Sequence, residues 1–293
     1  MSDHPDLASP VQPRADHILI TATEAMALPA PALWVDTRPG PDYRRGHLPG
    51  AISFDNFIHA NERTASADLQ GLARRWLDMF GEVGIPLEGP VVFYDAGLEN
   101  RAPRPALMLR ALGNPDSHVL RGGYHAWLQA GRPTTKEPVT LPGRHLPDRA
   151  FDPEVVAGVD DVLEAMGRGS VVLVDVRDDP EYQGRRRLQW NPRLGRIPGA
   201  VPLEWTRLLK RRGDSTAATK IDLRSLDEMR AQIEGAGLDP SQEVIIYCQK
   251  SHRACNSYLA FRELGFKKLR VYVGSFREWS RRPDLPVEKA GRR

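Results

Sequence analysis

Cysteine is almost absent: the 293-residue chain has two, Cys248 and Cys255. Two cysteines make no disulfide framework, and in a reducing compartment a scarce cysteine is either core filling or a working thiol. Long apolar runs are missing too. No stretch approaches the roughly 18 uncharged apolar residues of a membrane-crossing helix, so no membrane partner is expected. Neither sign of charge dominates, with 41 Lys and Arg against 38 Asp and Glu and a net charge of +3. Dedicated nucleic-acid binders concentrate far more basicity, so nucleic acid is not an expected partner, while a mild excess suits anionic small molecules. Met1–Pro13 lacks the basic and apolar regions of a secretory signal, and the expected location is cytoplasmic. His47 and His125 have no partners at ligand spacing, so no metal and no cofactor are expected. What remains is globular material, 41% hydrophobic and 27% charged. At this length two domains are the natural division.

The chain repeats itself once. Asp36-Thr37-Arg38 recurs as Asp175-Val176-Arg177, and Leu48-Pro49-Gly50-Ala51 as Ile197-Pro198-Gly199-Ala200. Val91–Tyr94 is echoed by Val244–Tyr247. Arg101-Ala102, Leu112-Gly113, Gly122 and Trp127 return 152 residues later as Arg253-Ala254, Leu264-Gly265, Gly274 and Trp279. A period this long means duplicated domains. Leu33–Thr37, Val91–Asp95, Val171–Val176 and Ile245–Tyr247 are short apolar runs bounded by turn residues, the pattern of buried parallel strands. Leu69–Phe80, Leu226–Ile233 and Ser257–Leu264 carry helical spacing. Alternating strands and helices imply an α/β fold, each half a parallel sheet flanked by helices on both faces. The expected division is an N-terminal unit over 1–133, a linker over 134–150 and a C-terminal unit over 151–293. Prolines at 138, 142, 147 and 153 oppose regular structure around that linker.

Ligands of such sheets bind beyond the carboxyl ends of the strands. The strand ending at Tyr247 leads directly into Cys248-Gln249-Lys250-Ser251-His252-Arg253, and a helix begins near Arg253 or Ala254. Free N–H groups and the positive end of the helix dipole favour an anion there. A cysteine at a strand end is ordinarily core filling. Thiols at helix termini or beside cations, however, ionise more readily than free cysteine, and Lys250, His252 and Arg253 add cationic character. Cys248 is therefore the candidate nucleophile, and Cys255, in the first turns of the helix, is assigned to packing. The first repeat has Asp95 after the equivalent strand, with a loop one residue longer. That half is expected to be structural, forming a wall of the cleft. Asp36 with Arg38 and Asp175 with Arg177 read as structural pairs, because one of them sits in the half without cysteine. The five arginines of 185–196, around Gln189-Trp190-Asn191-Pro192, read as a solvated loop at the cleft rather than an RNA contact.

These elements resemble the rhodanese superfamily, specifically its tandem-domain sulfurtransferases. The resemblance is carried by the two Asp-x-Arg elements and by Gly46-His47-Leu48-Pro49-Gly50-Ala51 with Gly195-Arg196-Ile197-Pro198-Gly199-Ala200. It continues through Gly122–Trp127 and Gly274–Trp279 to the single Tyr247-Cys248 loop of the second copy. It implies two tandem rhodanese-like domains, the second one catalytic. The implied activity is transfer of sulfane sulfur from thiosulfate or a similar donor, through a Cys248 persulfide, to a thiophilic acceptor such as cyanide or a thiol. Gln249, Lys250, Ser251, His252, Arg253 and Arg187 are the implied substrate-binding residues. A sulfur-accepting protein partner, with the chain acting as a persulfide carrier, and 3-mercaptopyruvate as donor are the alternatives. Cell-cycle phosphatases that share this fold use Cys-x5-Arg, whereas Cys248 to Arg253 is Cys-x4-Arg, a ring suited to one sulfur atom. Mercaptopyruvate enzymes typically have a Cys-Gly-Ser/Ala-Gly-Val/Thr loop, and the loop here is instead similar to the bacterial Cys-Gln-x-x-His-Arg type associated with thiosulfate. Where several animal enzymes place a substrate-contacting arginine, this chain has Glu181. The expectation is that Glu181 repels an anionic donor and that Arg185–Arg187 compensate.

Overall fold

The computed structural model describes residues 17–55, 64–189, 191–212 and 220–289. The N-terminal half runs β1 (Leu19–Ile20), α1 (Ala22–Met26), β2 (Leu33–Asp36), α2 (Gly40–Arg45), β3 (Ile52–Ser53), α3 (Ser66–Glu82), β4 (Val91–Tyr94), α4 (Pro103–Ala111), β5 (Ser117–Leu120) and α5 (Gly123–Gln129). The C-terminal half opens with β6 (Val156–Ala157), α6 (Val159–Arg168), β7 (Val171–Asp175), α7 (Asp179–Tyr182) and β8 (Val201–Pro202). A 3-10 turn (Trp205–Leu208) then leads into β9 (Leu209–Arg212), β10 (Lys220–Leu223) and α8 (Leu226–Gly235). The half closes with β11 (Glu243–Tyr247), α9 (His252–Glu263), β12 (Leu269–Tyr272) and α10 (Ser275–Trp279). The four strands and three helices expected from the sequence are all present, with ends shifted by a few residues. The shift is largest at α9, which starts at His252. The antiparallel β9–β10 hairpin was not expected.

Each half is built on a five-stranded sheet, ordered β1-β5-β4-β2-β3 in one and β6-β12-β11-β7-β8 in the other. Every pairing within them is parallel. The two orders are the same order, so the sequence repeat is a repeat of topology. Side chains of a strand alternate between faces. Val91 and Phe93 of β4, with Val244 and Ile246 of β11, join one core that runs through both halves. Val92 and Tyr94 face a second cluster under α1 and α5, and Ile245 and Tyr247 a third under α6 and α10. α3 supplies Leu72, Ala73, Trp76, Leu77 and Phe80 to the shared core, a helical stripe buried along one side. Helices α4 and α9 pack on each other across the junction.

Residues 132–150 carry no helix or strand and lie back along the N-terminal half. Thr135 and His47 exchange both backbone hydrogen bonds at 2.9 Å, and Arg144 N donates to Gly81 O at 2.9 Å. The C-terminal tail treats the second half alike, through Arg196 and Glu288 at 2.9 and 3.0 Å. No described helix is long and apolar enough to cross a membrane.

Candidate active site

The frame of the site is a buried ion pair that occurs twice. Arg177 Nη2 sits 2.6 Å from Asp175 Oδ2 and also donates to Gly195 O at 2.8 Å. Arg38 does the same with Asp36 and Gly46 O at 2.6 and 2.7 Å. Each pair ties the end of an inner strand to the Pro-Gly-Ala turn, as expected of a structural element. Beyond β11, Cys248 continues the inner-face alternation of Val244 and Ile246 and is 1% exposed. The loop that follows is held from below by α10. Ser275 Oγ accepts from Cys248 N at 3.3 Å and Ser251 N at 3.1 Å, and donates to Tyr272 O at 2.9 Å. Phe276 N and Arg277 N donate to the carbonyls of Cys248 and Gln249 at 3.0 and 3.1 Å. Ser251 and Ser275 are the non-glycine residues with positive φ among those described, at 61° and 54°. Such strain persists where the surroundings over-determine it.

The first copy shows where this loop directs its N–H groups. There β4 ends at Asp95, whose carboxylate accepts from the N–H groups of Glu99, Arg101 and Ala102 at 3.4, 3.1 and 3.2 Å. The last two lie just ahead of α4, Ala102 as its N-cap, where N–H groups have no intrahelical acceptor. Their counterparts, Arg253 and Ala254, lie in the first turn of α9, which starts at His252. Gly123, at φ +52, stands where the second copy has Ser275, and a Cβ there would lie 2.4 Å from the carbonyls of Asp95 and Gly97. In the second copy a hydroxyl takes that place and ties up two loop amides.

The charges around Cys248 are distributed differently from the sequence expectation. Burial, followed by the nearby charge of Arg104, pushes the His252 imidazole well below its ordinary value, so His252 is neutral at neutral pH and adds no cationic character. Its Nδ1 lies 3.0 Å from Lys250 O, a turn contact that orients the ring. Arg253 is paired with two carboxylates. Its Nη1 donates to Glu181 Oε2 at 2.6 Å and Asp178 Oδ1 at 3.0 Å, and its Nη2 to Glu181 Oε1 at 3.1 Å. Glu181 is 4% exposed and spends its charge on that pair, so the expected repulsion of a donor is corrected: the carboxylate is already neutralised. Burial, then Arg277, Arg104 and Arg281, lower the pKa of Lys250, which places these cations around it. Gln249 is locked to Asn191 by two bonds, Nε2 to Oδ1 at 2.6 Å and Asn191 Nδ2 to Oε1 at 3.0 Å. Arg187 is exposed and joins no hydrogen bond or ion pair among the described residues. Cys255 is buried inside α9, and burial pushes its thiol up, in keeping with packing.

The rhodanese-like domain family matches this chain twice, over residues 21–130 and 158–282. The chain belongs to the rhodanese family. A thiosulfate sulfurtransferase from Azotobacter vinelandii is 32% identical over 89% of this chain and 93% of its own length. A 3-mercaptopyruvate sulfurtransferase from Escherichia coli is 29% identical over 84% and 85%. Among solved structures, a probable thiosulfate sulfurtransferase superposes with a TM-score of 0.69 at 29% identity, covering 89% of this chain and 99% of that one. The protein is a rhodanese-type sulfurtransferase with two tandem rhodanese domains.

Within this rhodanese the sequence reading missed Arg104, Asn191, Arg277 and Arg281. Arg277 and Arg281 lie in or just past α10, within the Gly274–Trp279 signature and its extension. Arg104 comes from α4 of the half without a cysteine, is 1% exposed, and donates through Nε to Ser251 Oγ at 2.9 Å. Its one sequence signal is that the repeat offset pairs it with Asn256, so the repeat is not kept there. Arg193 and Arg196, which had been grouped with the solvated arginines, are structural. Arg193 Nε donates to Ser280 O at 3.0 Å, and Arg196 pairs with Glu288.

Proposed function

We propose that this sulfurtransferase takes sulfane sulfur from thiosulfate, or a similar anionic donor, onto Cys248 and passes it to a thiophilic acceptor such as cyanide or a thiol. In this reading residues 151–293 carry the sulfur, 1–133 are the cysteine-free partner, 134–150 join them, and the free thiols suit the reducing cytoplasm. One observation carries it: Cys248 stands where the duplicate has Asp95, an acid whose oxygens accept from the loop N–H groups that lead into a helix. The Cys248 thiolate attacks the outer sulfur of thiosulfate. The sulfur–sulfur bond breaks, its electron pair leaves with sulfite, and Cys248 is left as a persulfide anion. Attack by cyanide on the outer sulfur then returns the thiolate and releases thiocyanate, a ping-pong sequence. The amides of Arg253 and Ala254 receive the persulfide charge, as preorganised donors do at an oxyanion site. Lys250 meets the donor and steadies departing sulfite, while Ser251, Gln249, His252 and Arg253 shape the loop. Arg187, exposed after α7, is the further cation proposed to meet an incoming anion.

Intact mass tests this directly. Thiosulfate should add about 32 Da, one sulfur, at Cys248, and cyanide should remove it. Cys248→Ser should abolish the adduct and Cys255→Ala should keep it. An adduct on Cys255, or none, would sink the assignment. kcat/KM should favour thiosulfate over 3-mercaptopyruvate. The reverse order would overturn the donor and leave the sulfur chemistry standing.

A further inference from the structure

We propose, on the footing of the persulfide reading above, that Arg104 of the cysteine-free half is a positioning residue for the sulfur chemistry: it braces the Cys248 loop through Ser251 and sets a buried positive charge against the sulfur anion formed there. A chain of hydrogen bonds links it to the nucleophile. Arg104 Nε donates to Ser251 Oγ at 2.9 Å, Ser251 N donates to Ser275 Oγ at 3.1 Å, and the same oxygen accepts from Cys248 N at 3.3 Å. The guanidinium carbon lies 5.3 Å from the centre of the Trp76 ring, which fixes it from the N-terminal side.

The duplicate separates bracing from charge. The repeat places Asn256 of α9 where α4 has Arg104, and Asn256 reaches the other way. Its Nδ2 donates to the carbonyls of Leu98 and Glu99 in the first-copy loop at 3.1 and 2.5 Å. Each helix therefore ties down the loop of the opposite half from the same position. A neutral amide suffices for the loop that begins with aspartate, and a guanidinium is used for the loop that begins with the cysteine. Removing a guanidinium from water is expensive. Burial accordingly pulls Arg104 down to about 10, while the charges of Cys255 and Cys248 act the other way. A cation kept there at that cost faces the site where the reaction builds negative charge.

The test uses the full-length chain and two readouts that bracing alone would not move together. Uncharged iodoacetamide reports the reactivity of Cys248 without any donor, and steady-state kinetics with thiosulfate and cyanide report turnover. Arg104→Gln should slow alkylation at neutral pH and lower kcat, each by about tenfold or more, with KM for thiosulfate changed far less. Arg104→Lys should recover most of both losses. A folded Arg104→Gln protein that is alkylated and turns over within about twofold of wild type overturns the proposal. So does a failure of lysine to restore anything. Should Arg104→Gln not fold, Ser251→Ala decides, because it cuts the hydrogen bond and leaves the charge: the persulfide half-life, followed by mass, should shorten several-fold, and an unchanged half-life sinks the brace. If the wild type forms no persulfide from thiosulfate, the sulfur-transfer reading fails, and the alkylation comparison still judges Arg104.

Discussion

Lys250 and Arg253 lie three residues apart in one loop, yet their charges go to different places. Arg253 is spent on Glu181 and Asp178, so removing it strands a carboxylate that is 4% exposed. Breaking a buried pair from one side costs about 3–5 kcal/mol. Lys250 is crowded by Arg277, Arg104 and Arg281, and under the proposed function an arriving anionic donor would relieve that crowding. Arg253→Ala should therefore lower the urea midpoint by the equivalent of roughly 3 kcal/mol. Lys250→Ala should leave the midpoint in place but lower kcat/KM for thiosulfate by about tenfold, some 1.4 kcal/mol. The kinetic comparison belongs at low ionic strength, where screening is weakest. If Lys250→Ala keeps wild-type kinetics there, the donor binds elsewhere, and Arg185–Arg187 become the place to look.

At the scale of elements, the working unit is strand, loop and helix, and the chain holds it twice. In the β11–α9 copy the loop ring is closed by Ser275. In the β4–α4 copy it is closed by Asp95, which takes the loop amides into its own carboxylate. Burial, with Glu99 adding to it, pushes that carboxyl up to about 7, against the pull of the three N–H donors. An unfolded aspartate titrates near 3.9. Between these values the folded chain holds a proton that the unfolded chain has released, so Asp95 makes stability fall as pH rises from about 4 to about 7, by at most about 4 kcal/mol. Below that window its contribution is fully present, and above it is lost. Asp95→Asn keeps one acceptor oxygen and cannot ionise, so its unfolding free energy should lack that decline. Parallel slopes for the two proteins between pH 4 and 7 would show that Asp95 does not titrate there.

On the scale of the whole molecule, the halves share more than a surface. One apolar core runs through both, and polar ties cross in each direction. Asn256 reaches Leu98 and Glu99, Arg104 reaches Ser251, and Thr64 N and Oγ1 donate to Glu278 at 2.8 and 2.5 Å. Ser66 adds a fourth tie, to Asp160 at the start of α6. With its core continuous across the junction, neither half keeps its apolar face covered alone. Calorimetry should therefore show one cooperative transition. Asn256→Ala, which leaves two loop carbonyls without their buried donor, should lower stability by about 1–3 kcal/mol while keeping a single transition. Two resolved transitions in the wild type would contradict the shared core.

By itself the sequence determined the duplication, the parallel sheets, the structural role of both Asp-x-Arg pairs and the position of Cys248 between strand and helix. Those are properties of neighbouring residues: apolar runs of strand length, turn residues at their ends, and signatures in conserved order along one chain. It did not show that His252 is neutral, that Glu181 belongs to Arg253, that Asn191 locks Gln249, or that Arg104 enters the sulfur loop. Each of these depends on which side chain burial brings against another far along the chain. Arg104 and Ser251 are 147 residues apart, and Arg253 and Glu181 are 72 apart. The β9–β10 hairpin escaped for a related reason. Its polar Lys210-Arg211-Arg212 stretch has no apolar alternation to announce a strand, and its pairing is settled by the opposite strand. Charges written side by side in a loop are additive only on paper, because the tertiary structure decides which are desolvated, which are already paired and which are left to meet a substrate.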